Sequence, residues 1–173
     1  MAIQYKLEQL NHVQLIGVLR KYESGDEMQK DIPSFWQKVN NDGVVDDLIE
    51  LSNQTLSGLL GVILQKEDNH FDYFIGVPCD NSNNNDSHFN TLELSAHKYV
   101  VIDAKGKVPE AIKSIMPKIY QELLPQAKFK TIRAPMFEHY LPGNTQSSDY
   151  ITEIWIPIED QTKDLDKIGI TKL

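Results

Sequence analysis

Apolar positions along the chain change period several times, and each change marks an element. Residues 2–22 read as a strand-like segment, with Val13, Leu15, Ile16, Val18 and Leu19 ahead of a polar stop at ESGD. Met28, Ile32, Phe35/Trp36 and Val39 then recur at helical spacing, with Asp26 as the expected N-cap and Pro33 expected to kink the helix or mark its start. NNDG breaks this pattern, and VVDDLIELS predicts a further short helix. LLGVILQK (59–66) and FDYFIGVP (71–78) predict a hairpin joined through EDNH. After a polar, Asn-rich connection at 80–90, expected to be mobile, the pattern restarts. Leu92 to Ala104 predicts a strand interrupted near Ala96–His97. A helix is expected from Pro109, with Ile112, Ile115, Met116, Ile119 and Leu123 as its apolar stripe. Residues 136–158, MFEHYLPGNTQSSDYITEIWIPI, predict a second hairpin, and 159–173 a charged tail.

The restart is a repeat. A shift of 84 positions lays Leu10 on Leu94, Leu15 on Tyr99, Val18 on Ile102 and IPSFWQKV on MPKIYQEL, proline on proline and Trp36 on Tyr120. A shift of 77 lays Leu60 on Phe137 and Asp72-Tyr73 on Asp149-Tyr150. The reading is a duplicated strand–helix–strand–strand unit. The expected fold is α+β: two β-α-β-β units with pseudo-twofold symmetry, helices on one face of an antiparallel sheet and a ligand cleft on the other. One domain is expected over 1–158, with unit one at about 3–79 and unit two at about 91–158.

The second hairpin carries the candidate chemistry. Side chains alternate along a strand, so Met136, Glu138 and Tyr140 share one face, and Ile151, Glu153 and Trp155 share another. A turn centred near Thr145–Gln146 would bring Glu138 and Glu153 opposite each other on the same face, among aromatic rings. The 77-residue shift lays these glutamates on Gly61 and Gly76, where a missing side chain would leave room for a ligand. Trp155 and Tyr140 are the first candidate walls of the cleft. Tyr120, Tyr99, Tyr73 and Trp36 follow. An enclosed carboxylate can hold an organic cation, and two neighbouring ones would titrate as a pair, one of them poised for proton transfer.

Charge and composition narrow the partners. With 17 basic against 25 acidic residues and a net charge of −8, the chain has no phosphate-coating surface, so direct nucleic-acid binding is not expected. A single cysteine, Cys79, excludes an intrachain disulfide and suits the cytoplasm. No 18-residue apolar run predicts a membrane span. The five histidines lack ligand spacing and no nucleotide or hydrolase-triad motif occurs, so neither metal nor cofactor is expected.

Four stretches in order, FDYFIGVP, YVVIDAKGKVPEAI, IYQELLP and FEHYLPG…DYITEIWIPI, make the chain resemble the GyrI-like (DNA-gyrase-inhibitor-like) small-molecule-binding domains. These also serve as effector-binding domains of AraC-type and MerR-type multidrug-sensing regulators. The resemblance covers roughly residues 3–158. It implies an aromatic-lined cleft with a buried glutamate facing the ligand, matched here by Glu138 or Glu153. The regulators' helix-turn-helix domain is not matched, so a stand-alone member is expected. The expected function is binding of hydrophobic or cationic small molecules, with a regulatory role. Two alternatives stand beside it: a hydrolase of electrophilic, cyclopropane-bearing xenobiotics using Glu153 or Glu138, and a protein–protein module of the gyrase-inhibitor type.

Overall fold

The computed structural model describes residues 3–80 and 88–159, so most of the 80–90 connection and nearly all of the 159–173 tail lie outside the described residues. Eight strands form one antiparallel sheet: β1 (Tyr5–Leu10), β2 (Val13–Tyr22), β3 (Leu59–Gln65), β4 (Phe71–Cys79), β5 (Asn90–Leu94), β6 (His97–Lys105), β7 (Met136–Tyr140) and β8 (Ile151–Ile158). Their order across the sheet is β1-β6-β8-β7-β3-β4-β2-β5. The inner six strands are the two expected β-α-β-β units, β2–β3–β4 and β6–β7–β8, meeting where β3 pairs with β7.

Residues 2–22 make two strands rather than one strand-like segment, broken at Asn11–His12; β1 is one edge of the sheet and β2 lies next to the opposite edge. β1 pairs with β6 of the second unit, and β5 pairs with β2 of the first. Each unit therefore lends its leading strand to the other. Because only two residues separate β1 from β2, the sheet must curl until its ends approach each other. The curl gives it a concave and a convex face.

The convex face carries the helices: α1 (Gly25–Asn41), α2 (Val44–Leu51) and α3 (Glu110–Lys118), the last running through a π-turn at Ile119–Leu123 into Leu124–Gln126. The first cap corrects the sequence reading. Ser24, not Asp26, is the N-cap; its hydroxyl accepts the Glu27 N–H while the Glu27 carboxylate accepts the Glu23 N–H, a reciprocal arrangement announced by the S-x-x-E spacing. Pro33 sits within α1 and Pro117 within α3. Pro117 lacks an N–H, and the wide turn begins two residues beyond it, where the Ile119 N–H is shared between the Ile115 and Met116 carbonyls.

The core divides as the faces do. Val100, Ile102, Ile154, Ile156 and Ile158 pack under α3, while Tyr73 and Ile75 pack against Phe35 and Val39 of α1. Leu15, Val62, Phe74, Tyr99, Val101, Phe137 and Trp155 fill the concave side. No helix among the described residues is long and apolar enough to cross a membrane.

Candidate functional site

The hairpin register differs by one residue from the sequence reading, and this relocates a glutamate. Glu138 pairs with Ile154, and Glu153 pairs with His139. A slip of one residue turns every side chain of a strand to the other face. Glu138 and Glu153 are therefore on opposite sides of the sheet and do not form a coupled pair. The loop between β7 and β8 is too long to impose register by turn type. Register comes instead from the stacking of Phe137 on Trp155, 5.1 Å apart, and from the Tyr150 hydroxyl donating to the Leu141 carbonyl across the loop's neck. The repeat is adjusted in the same way. If Leu60 corresponds to Phe137, the pairings Leu60–Gly76 and Phe137–Trp155 place Gly76 on Trp155 rather than on Glu153.

The ten candidate residues thus divide between two places. Glu153, Trp155, Tyr99 and Gly76 belong to the concave face; Glu138, Tyr140, Tyr73, Trp36, Gly61 and Tyr120 belong to the helix side.

On the concave side Glu153 is almost enclosed and held by three donors. Its Oε1 accepts from His139 Nδ1 at 2.9 Å and from the Trp155 indole N–H at 3.0 Å, and its Oε2 faces the Lys6 ammonium at 3.3 Å. The hydrogen bond from His139, opposed by burial and reinforced by Trp155 and Lys6, holds this carboxyl at about 2. His139 is fixed from behind, its Nε2 lying 2.5 Å from the Ser57 carbonyl oxygen. Gly58 permits that approach: with φ at +83°, a Cβ there would meet the Tyr140 carbonyl at 2.1 Å. Lys6 is the loosest partner, its side chain 53% exposed. Glu153 and Trp155 line a cavity of about 650 Å³ with Leu10, Val13, Leu56 and Lys6. Behind it the rings of Tyr99, Phe137 and Trp155 pack at 5.1–5.5 Å from one another. The Tyr99 hydroxyl is buried without a hydrogen-bond partner.

On the helix side the Glu138 carboxyl is ringed by aromatic residues. Tyr140 donates to Oε1 at 2.6 Å and Tyr73 at 3.3 Å, and the Trp36 indole N–H donates to the Tyr73 hydroxyl at 2.9 Å. The Trp36 and Tyr140 rings meet edge to face at 4.9 Å. Burial pushes this carboxyl above its ordinary range, and the two phenols only partly oppose it. Burial also raises both phenols well above theirs. Tyr120 stands outside the cluster, exposed, its hydroxyl near the Met136 sulfur.

The two glycines play a different part from the one expected. A Cβ on Gly61 would lie 2.1 Å from the Tyr73 hydroxyl, and one on Gly76 would lie 2.3 Å from the Ile16 carbonyl and 2.5 Å from the Phe74 ring. The protein itself occupies both spaces. Gly61 lets Tyr73 reach across β3 to Glu138. His139, Phe137 and Lys6 were missed in sequence: the first two would have been found with the right register, whereas Lys6 arrives on a strand whose destination no local pattern announces. No group of three or more His, Cys, Asp or Glu side chains able to hold a metal ion occurs among the described residues.

Comparison with known proteins agrees with this architecture. A transcription-regulation candidate from Staphylococcus aureus MU50 is 33% identical, with a TM-score of 0.85 over 92% of this chain and all of that one. The structure of SAV2435 bound to tetraphenylphosphonium is 34% identical, with a TM-score of 0.86 over 93% of this chain and 97% of that one. The integron cassette protein VCH_CASS2 of Vibrio cholerae, at 19% identity and a TM-score of 0.63 over 90% and 95% of the two chains, shares the fold. Searching the curated proteins found no match. The model of the integron-associated effector binding proteins, Cass2, matches residues 6–158, and the chain belongs to that family, within the GyrI-like effector-binding fold.

Proposed function

We propose that the protein binds hydrophobic small molecules, organic cations among them, in the concave cavity, with Glu153 as the anionic anchor and Trp155 as the principal ring. The observation that carries this reading is that Glu153 and Trp155 line one 650 Å³ cavity on the face free of helices. Glu153 stays ionised at neutral pH, so the anchor is charged before the ligand arrives. An incoming cation takes the place of the half-exposed Lys6 ammonium at Oε2, while His139 and Trp155 keep Oε1 in position. Ring faces near that cation add about 0.5–2 kcal/mol each. Binding of tetraphenylphosphonium, a lipophilic cation, by SAV2435 supports this class of ligand. The regulation named for the S. aureus relative supports a regulatory consequence of binding. The same reading treats residues 1–158 as one domain and places the protein in the cytoplasm, where a lone cysteine stays reduced.

Titration with tetraphenylphosphonium tests the assignment. Glu153→Gln and Trp155→Ala are each expected to weaken binding at least about tenfold, and a parent-like affinity in both variants overturns it. Turnover of a cyclopropane-bearing electrophile, lost in Glu153→Gln, would instead make this cavity a hydrolase site.

A further inference from the structure

The concave cavity extends well beyond its Glu153 end. From that end the concave side of β1 carries Lys6, Glu8 and Leu10 in turn towards the β1–β2 link. Past the link the wall continues through Val13 and Gln14 to Cys79 and Asp80. Strand register gives the span. Glu153 pairs with His139, His139 with Leu60 and Leu60 with Gly76, so Glu153 and Gly76 lie three strands apart. Asp80 follows four residues beyond Gly76, with the parity of the same face. A flat sheet would set the two carboxylates roughly 19 Å apart, and the curl draws them closer.

Charge is unevenly matched along this path. The lining holds three carboxylates, of Glu8, Asp80 and Glu153, and among the described residues Lys6 is its one Lys or Arg. The Lys6 ammonium stands between two of them, 3.3 Å from Glu153 and 3.7 Å from Glu8. A cation that takes its place at Glu153 therefore leaves it with Glu8. At the far end the Asn53 amide donates to Asp80 Oδ1 at 3.2 Å. Leu10 and Val13, both buried, separate the two acidic ends. Trp155 is the one Phe, Tyr or Trp ring in the described lining, so the Asp80 end offers hydrogen-bond acceptors rather than ring faces.

Resting on the reading of Glu153 as the anionic anchor, we infer that the cavity is built for an extended alkyldiammonium ion: one head at Glu153 beside Trp155, the chain over Leu10 and Val13, the second head at Asp80. A primary ammonium, with three N–H donors, suits the polar far end. A carboxylate or phosphate there would face Asp80 and be repelled.

Decane-1,10-diamine and decylamine, both protonated at neutral pH, share a chain and a first head and differ in the second. By isothermal titration calorimetry the diamine should bind the full chain about threefold to tenfold more tightly than decylamine, by a margin that shrinks as salt is raised. Asp80→Asn should weaken the diamine to the level of decylamine. Glu110→Gln removes the same charge from an exposed position on α3 and should preserve the margin. Equal affinity of the two amines for the parent overturns the inference, as does a margin that survives Asp80→Asn or vanishes in Glu110→Gln. In those cases the Glu153 site still stands if Glu153→Gln weakens decylamine. Decylamine binding unmoved by Glu153→Gln overturns both readings together.

Discussion

Glu138 and Glu153 belong to one hairpin, yet the two faces of the sheet treat them as different chemical groups. Glu153 has an imidazole, an indole N–H and an ammonium around it, and its carboxyl is held at about 2. Glu138 has two phenols, and burial raises it instead. The balance of burial against donors makes the difference. Burial dominates at Glu138, where two phenols oppose it only in part, whereas at Glu153 the His139 hydrogen bond, with Trp155 and Lys6, outweighs it. One face therefore stores a fixed negative charge, and the other stores one that is reluctant to appear.

The strongest way to break this contrast is to remove His139. His139→Ala leaves a nearly buried carboxylate with its best donor gone, and unfolding by urea should show a loss of about 3–5 kcal/mol. Glu138→Gln, which deletes a charge that the fold disfavours, should leave stability unchanged or raise it by up to about 1 kcal/mol at neutral pH. Equal losses in the two proteins would erase the distinction.

Dependence on pH gives the next largest effect, and its sign differs between the faces. Glu153 is depressed on folding from an ordinary value of 4.5 to about 2. Its contribution, about 3 kcal/mol, is fully present above the ordinary value and is lost as pH falls from there to about 2. Glu138 is raised, so the folded state holds its proton longer, and its charging erodes stability as pH climbs above 4.5. Thermal melts of Glu153→Gln should lose the acid limb, and those of Glu138→Gln should lose the decline above it.

Gly61→Ala sharpens the helix-side half of the comparison. The new Cβ must displace the Tyr73 hydroxyl, so a loss of about 1–3 kcal/mol is expected, together with altered Trp36 emission. The smallest effect belongs to Lys6→Gln. This half-exposed ion pair contributes about 0–1 kcal/mol, so melting should barely change. Removing the resident ammonium should instead let tetraphenylphosphonium bind more tightly.

Local pattern was enough for much of the architecture. Alternation placed β3, β4, β7 and β8, and the matching Pro33 and Pro117 exposed the duplication. The four family motifs pointed to the effector-binding fold. Glu153 and Trp155 could be paired from sequence because an i, i+2 relation on a strand is set by the backbone itself. The relation of Glu138 to Glu153 could not, since it depends on register across a loop that leaves parity open.

Sequence by itself determined which residues share a strand face, where each unit begins again, and that acid and aromatic side chains concentrate in the second hairpin. These follow from periodicities of two and 3.6 residues, which the covalent chain imposes locally. Tertiary structure alone decided that β1 and β5 exchange between units, that His139 and Lys6 meet Glu153, and that Tyr73 crosses Gly61 to Glu138. Each of those contacts joins segments far apart in the chain, and only their packing across the curled sheet determines which of them touch.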